Sequence, residues 1–439
     1  MRIKTAKFGG SSVADGIQLA KIRKIIESDP DRRYIVVSAP GKRFSGDSKI
    51  TDLLFMCKAQ ADLHFPYEQI FQVVADRFQA VRFHLGIDVD LESRFREIRE
   101  AMEAGCTEDY IVSRGEYLSA ILTAAYLGYD FVDTQHLILF DRRGRLMAEE
   151  TNAALAAELK RHERAVLPGF YGGDAETGEV RLLSRGGSDV TGAMVARAVQ
   201  ADVYENWTDV SGLLMADPRV VPDPKPIEYI SYIELRELSY MGASVLHEDA
   251  VFPVRLAGIP INIRNTNAPE DPGTIITTEN EYESGRLLSG IAGKKDFTVI
   301  SIYKSMMNKE IGFVRRALAV LEDLGINFDH IPTGIDSLSV VIESAELEDK
   351  LEEVLEAFRQ RLHPDSIDVA EGIALIAVVG RGLRHTVGVS ARICTAVAEA
   401  GINIRMLNQG TGEINVILGV ENADFENAIR AIYAAFTEN

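Results

Sequence analysis

The chain has 439 residues, 46% of them hydrophobic and 26% charged, and a formal net charge of −19. That length exceeds one hydrophobic core and predicts two or three domains, while the acidic balance argues against nucleic acid or an anionic membrane as main partner. Cys57, Cys106 and Cys394 form no CxxC pair, no signal peptide precedes the first strand, and no apolar run is long enough to span a bilayer, so a reducing, cytoplasmic setting without disulfides or a zinc site is expected.

The first element is a short strand in "MRIKTAKF", ending at the glycine turn "GGSS", and the helical spacing of "IQLAKIRKII" follows. A strand, a glycine turn and a helix together favour an anion above the turn, and Lys7 adds a positive charge. "YIVVSAPG" reads as a buried strand, "KITDLLFMCKAQADL" as a helix, and residues 60–110 as mostly helix. "FVDTQHLI" and "RAVLPGFYGG" contain strands, with a turn expected at Gly172–Gly173. "SDVTGAMVARAVQA" is a helix with its cap expected at Ser188 or Asp189. "DVYENWTDVSGLLMADPR" is a strand entering a polar loop, "PIEYISYIELRELSYMG" a strand and a helix, and "GIPINIRNT" a strand. Alternating strands and helices predict a mostly parallel sheet covered on both faces, whose ligands bind beyond the carboxyl ends of the strands. The stretch "NAPEDPGTIITTENEYESGRLLSG" reads as a linker, with a new organisation from about Asp296. After it comes a repeat at an offset of 76 residues, pairing Gly312 with Gly388 and Gly325-Ile326-Asn327 with Gly401-Ile402-Asn403. Each copy reads βαββα.

No Walker P-loop, GxGxxG turn, HExxH or GxSxG motif is present. Four polar clusters remain, and each has a plain structural alternative. Lys7, Gly9, Gly10 and Ser11 form the first turn. Glu116, in "SRGEYLSA", can be an acid complementing the dipole at a helix start. Arg185, Ser188 and Asp189, in "LLSRGGSD", can be an ordinary glycine turn with its N-cap. Thr208, Asp209 and Arg219, in "WTDVSGLLMADPR", can be turn chemistry.

Taken in order, "KFGGSSV", "VSAPGK…KITDLL", "SRGE", "LLSRGGSD", "WTDVSG…ADPR" and "GASVLH…GIPINIRNT" resemble the motif series of the aspartate kinases, within the amino-acid kinase fold. The paired βαββα units resemble the tandem ACT domains of those enzymes. The resemblance spans essentially the whole chain. It implies a catalytic domain over residues 1–290 and ACT-like regulatory units over 296–370 and 371–439, with strands free to interleave. It implies MgATP-dependent phosphorylation of the side-chain carboxylate of L-aspartate at the head of lysine, threonine and methionine biosynthesis. No magnesium ligand is expected directly from the protein.

By the same resemblance, Lys7 and Asp189 are the catalytic pair. Ser38, Thr51, Glu116, Arg185 and Ser188 serve the amino acid, Glu116 its ammonium and Arg185 its α-carboxylate. Lys7, Gly9, Gly10, Ser11, Thr208, Asp209 and Arg219 serve the nucleotide. Met307, Gly312, Asp329 and Thr333 fall at effector positions, with L-lysine the leading effector. Leu214 and Ser244 replace a tyrosine and a lysine common in relatives, Gly334 replaces a serine, and Ser11 keeps a threonine's hydroxyl. A homodimer or higher homo-oligomer, without nucleic acid or membrane, is expected, and no fused dehydrogenase is expected after Asn439. The alternatives are another amino-acid kinase, of the glutamate type, and a non-catalytic amino-acid sensor on the same scaffold.

Overall fold

The computed structural model describes residues 2–184, 186–243, 246, 248–278, 287–410 and 414–437, the side chains of 248–251 aside. In chain order the elements of the first part are β1 (Lys4–Phe8), α1 (Gly16–Glu27), β2 (Arg32–Val37), α2 (Ile50–Asp62), α3 (Glu68–Leu85), α4 (Leu91–Glu103) and α5 (Glu108–Leu127). They continue with β3 (Asp130–Phe131), β4 (Leu139–Phe140), α6 (Ala148–Leu159), β5 (Ala165–Pro168), β6 (Tyr171–Asp174), β7 (Val180–Leu182), α7 (Gly187–Ala198) and β8 (Val203–Thr208). Then come β9 (Leu213–Leu214), β10 (Pro226–Ile227), β11 (Tyr229–Ser231), α8 (Tyr232–Tyr240), α9 (Glu248–Ala257), β12 (Ile261–Asn265) and β13 (Thr274–Thr277). The remainder holds β14 (Gly290–Tyr303), α10 (Phe313–Leu324), β15 (Ser337–Glu343), α11 (Leu351–Leu362), β16 (Ser366–Val379), α12 (Val389–Glu399), β17 (Met406–Asn408), β18 (Asn415–Glu421) and α13 (Phe425–Thr437). None of the described helices is long and apolar enough to cross a membrane.

The chain forms two compact units. The first takes Met1–Leu213, Pro226–Leu235 and Val245–Glu283; the second takes Leu214–Lys225, Arg236–Ser244 and Ser284–Asn439.

In the first unit eight strands run in the order β11-β13-β12-β8-β1-β2-β5-β3. The central strands pair in parallel. Successive residues of β1, β2 and β5 are buried whichever way they point, so both faces of the sheet are covered, as a parallel sheet requires. The core joins Phe8, Ile22, Ile35, Phe71, Phe95 and Trp207.

The structure corrects four local readings. A 3₁₀ turn, Gly10–Val13, separates the glycine pair from α1, which is capped by Asp15 accepting from the Gln18 amide. Gly172 and Gly173 lie inside β6, not in a turn; a Cβ at Gly172 would sit 2.1 Å from the Ile138 carbonyl oxygen, so the glycines allow close passage of another segment. The presumed linker contains β13, because its short apolar run "TIIT" fits between β12, antiparallel to it, and β11, parallel to it. The new organisation begins at Gly290 rather than Asp296, whose positive φ of 67° marks a register shift inside β14.

The second unit has an antiparallel sheet in the order β15-β14-β16-β18-β17. The two long strands serve both repeats. Gly290–Lys294 of β14 pairs with Leu375–Val379 of β16, and Phe297–Tyr303 pairs with Ser366–Ile373. Gly312 and Gly388 occupy the same place in the two copies: each is the left-handed residue, φ 79° and 89°, that starts α10 or α12. Ile300, Phe313, Val320, Val340 and Phe358 fill the core of the first repeat.

Candidate active site

Parallel strands place their carboxyl ends on one edge, and short backbone bonds continue the ladder beyond it. The Gly169 amide donates to the Val37 carbonyl, Ser38 to Phe8, Gly9 to Trp207 and Thr266 to Thr208, at 2.9–3.1 Å. The loops after β5, β2, β1, β8 and β12 are thereby aligned side by side. Ser12 and Thr266 hydroxyls meet at 2.7 Å and close the row.

Lys7 sits one residue before the end of β1 and is 7% exposed. Its in-register neighbour on β8 is Asn206, and neighbours in register point to the same face. The start of α7 supplies Asp189 to that face. Asp189 Oδ1 lies 2.5 Å from Lys7 Nζ and accepts from Asn206 Nδ2 at 2.9 Å. The Tyr204 hydroxyl donates to the Asp189 carbonyl oxygen at 3.0 Å, which pins this turn of α7 to β8. The cap of α7 is Gly186, at φ 81°, not Ser188 or Asp189. The Asp189 carboxylate is taken by Lys7 and Asn206 and is not left to cap the helix. Ser188 is 9% exposed and packs on Gly169.

Two glycines let the first and second loops touch. A Cβ on Gly10 would stand 3.0 Å from the Ala39 carbonyl oxygen, and one on Gly41 would stand 2.8 Å from the Gly10 carbonyl carbon. The Gly41 amide donates to the Gly10 carbonyl at 2.8 Å. The Gly9 amide, expected to face a phosphate, is instead occupied by Trp207, so Gly9 contributes close approach beside Lys7.

Glu116 belongs to the third turn of α5, not the first, because α5 starts at Glu108 under a Thr107 cap. The dipole reading of this acid therefore fails. Glu116 is 4% exposed. The Ala39 backbone amide bonds its carboxylate, and Oε2 has no hydrogen-bond partner. Burial pushes this carboxyl up to about 8, against the opposing pull of the Ala39 amide. A buried carboxylate with a free oxygen is a receptor for a cation.

Ser38 and Thr51 are half-buried, Ser38 at the end of β2 and Thr51 in the first turn of α2. The Thr208 hydroxyl donates to Asp209 at 3.2 Å. Arg219 belongs to the second unit, is largely exposed and forks onto Asp217. Leu214 lies there too. Arg185 and Ser244 lie outside the described residues.

In the second unit Met307 is buried and Gly312 starts α10. Asp329 is held twice: its amide donates to the Val341 carbonyl at 2.8 Å, and its carboxylate accepts from the Tyr240 hydroxyl at 2.7 Å. Thr333 bridges to Leu338 at the sheet edge. Asn206 and Tyr240 carried no signal of their own in the sequence; each is found through a partner elsewhere in the chain.

The model of the amino acid kinase family matches residues 3–265, and that of the ACT domain matches 376–436. Aspartokinase 3 of Bacillus subtilis is 37% identical over 449 residues, which cover 99% of this chain and 98% of that one. The chloroplastic aspartokinase 1 of Arabidopsis thaliana is 28% identical over 99% of this chain and 80% of its own. The crystal structure of Clostridium acetobutylicum aspartate kinase superposes with a TM-score of 0.93 at 46% identity over the whole of both chains. E. coli aspartokinase III, crystallised with lysine and aspartate, superposes with a TM-score of 0.74 at 25% identity over 99% of this chain and all of that one.

Proposed function

Since the chain belongs to the aspartokinases of the amino acid kinase family, we propose that it transfers the γ-phosphoryl group of ATP to the side-chain carboxylate of L-aspartate, giving 4-phospho-L-aspartate and ADP. The observation that carries this reading is a buried ammonium group and a buried carboxyl group on one backbone junction. Buried Lys7 stands at the carboxyl edge of the sheet. Buried Glu116, with an unpartnered oxygen, is bonded to Ala39, whose carbonyl packs on Gly10.

The nucleophile needs no general base. A free aspartate side chain, with an ordinary pKa of about 3.9, is already ionised at neutral pH. One carboxylate oxygen forms the new bond to phosphorus while the bond to the β,γ-bridging oxygen breaks, and ADP carries that electron pair away. The barrier is the approach of an anion to a polyphosphate, so positioning and charge neutralisation supply the catalysis. Lys7 meets the negative charge of the transferring group, and Asp189, itself held by Asn206, fixes its ammonium. Glu116 takes the substrate ammonium. Arg185 takes the α-carboxylate in a bidentate fork. Magnesium would arrive on the ATP phosphates and neutralise them, with Asp189 the carboxylate suited to face its water shell.

The second unit, by this reading, binds an amino-acid effector at the loops around Met307, Gly312, Asp329 and Thr333. L-lysine is the first candidate, since E. coli aspartokinase III was crystallised with it. On this reading the reaction opens lysine, threonine and methionine synthesis and runs in the cytoplasm. The exposed edges of the antiparallel sheet suit a homodimer. The test is ADP release coupled to hydroxylamine trapping, with L-aspartate, L-glutamate or neither. Aspartyl hydroxamate formed only with aspartate and MgATP is expected. Turnover of glutamate at an equal rate would assign a different substrate, and no turnover of either would remove the kinase reading.

A further inference from the structure

Arg77, on α3, is 6% exposed and lies outside every motif that pointed to the site. Its guanidinium holds three loops by their backbone carbonyls. Nη1 donates to Ser48 at 2.7 Å, and Nη2 donates to Gly41 at 2.6 Å and to Ala14 at 3.3 Å. Asp47 adds a carboxylate oxygen at 3.6 Å from Nη1, itself forked by Arg43. These carbonyls are not a random set. Ala14 ends the 3₁₀ turn that begins at Gly10. Gly41 is the residue whose amide grips the Gly10 carbonyl. Ser48 leads into α2, which opens with Ile50 and Thr51.

We infer that Arg77 is a positioning residue for the phosphate end of the site: one planar cation fixes the two glycine loops against each other and so fixes the floor beside Lys7. The inference rests on the proposed use of the Gly9–Gly10 turn for nucleotide. It follows from geometry that a lysine cannot reproduce. Guanidinium presents several donors in a rigid plane, whereas an ammonium is a single point on a flexible stem. A cavity of about 160 Å³, lined in part by Ala14, Gly16, Arg43, Arg77 and His84, lies against this cation. It is roomy enough for water to reach the carbonyls if the fork is lost. Substitution should therefore disturb the register of the loops more than the fold, which the folded fraction checks.

The test uses the full-length chain carrying Arg77→Lys or Arg77→Met. MgADP affinity is read by titration calorimetry, folded fraction by far-ultraviolet circular dichroism, and kcat and the aspartate KM by hydroxamate formation. Both variants should bind MgADP at least tenfold more weakly per folded molecule and lose kcat. The aspartate KM should move less than threefold, since Glu116 is carried separately by α5. Wild-type MgADP affinity per folded molecule in both variants would overturn the inference, as would a loss carried entirely by the aspartate KM. Wild-type protein that binds MgADP yet makes no aspartyl hydroxamate would sink the functional reading and leave this one standing.

Discussion

Replacing Glu116 with glutamine tests the electrostatics of the site directly. The carboxyl is buried, receives the Ala39 amide, leaves one oxygen unpartnered, and titrates near 8 instead of 4.5. Between those two values the folded chain holds a proton that the unfolded chain has released. The folded state then binds more protons, so stability falls as pH rises through this window. At 1.36 kcal/mol per pH unit the full effect is on the order of 5 kcal/mol. Glutamine has the same shape and no proton to lose. Glu116→Gln should therefore match the wild type at pH 5 and exceed it in stability at pH 9, by up to that amount, in denaturant or thermal melts without substrate. The same displacement governs binding. Near pH 7 about nine-tenths of the empty sites carry a proton on Glu116, which a substrate ammonium must expel. Apparent aspartate affinity should weaken about tenfold per pH unit below 8, with nearly one proton released per aspartate at pH 7. Calorimetry in buffers of different ionisation heats measures that release. Parallel stability–pH curves for the two proteins, or aspartate binding with no proton release, would refute the reasoning.

Lys7→Ala should lower kcat by roughly 10²-fold, the scale for removing one preorganised charge-stabilising donor, and change the aspartate KM little. Arg185→Ala should instead raise that KM about tenfold or more; steady-state kinetics with the two effects exchanged would reverse both roles. Gly41→Ala forces a Cβ to 2.8 Å from the Gly10 backbone and should cost about 1–3 kcal/mol along with activity, whereas Gly46→Ala, with only Phe44 atoms at 3.7 Å or beyond, should be near neutral in the same melts. Asp329→Ala should raise the L-lysine concentration for half-inhibition at least tenfold, a change within the usual range of allosteric coupling; unchanged sensitivity would remove Asp329 from the effector site.

Local chemistry was legible without the fold. The strand and glycine turn around Lys7 announce themselves because a chain reversal beside a strand leaves few residue choices. The repeat in the second unit is visible because Gly312 and Gly388 both need a left-handed backbone that glycine adopts without strain. The ends of elements were less legible: Glu116 looked like a helix start because the polar run before it hid the true cap at Thr107. Interleaving of strands between the repeats was left open by the sequence, and that β14 and β16 are the shared pair came only with the sheet, since each strand reads as apolar whichever partner it takes. Asn206 on Asp189, Gly41 on Gly10 and Arg77 on three carbonyls join residues 17 to 63 positions apart. No periodicity encodes such meetings. They depend on which strands become neighbours, and in a parallel sheet that is decided by the packing of the crossover helices, not by the strand residues themselves.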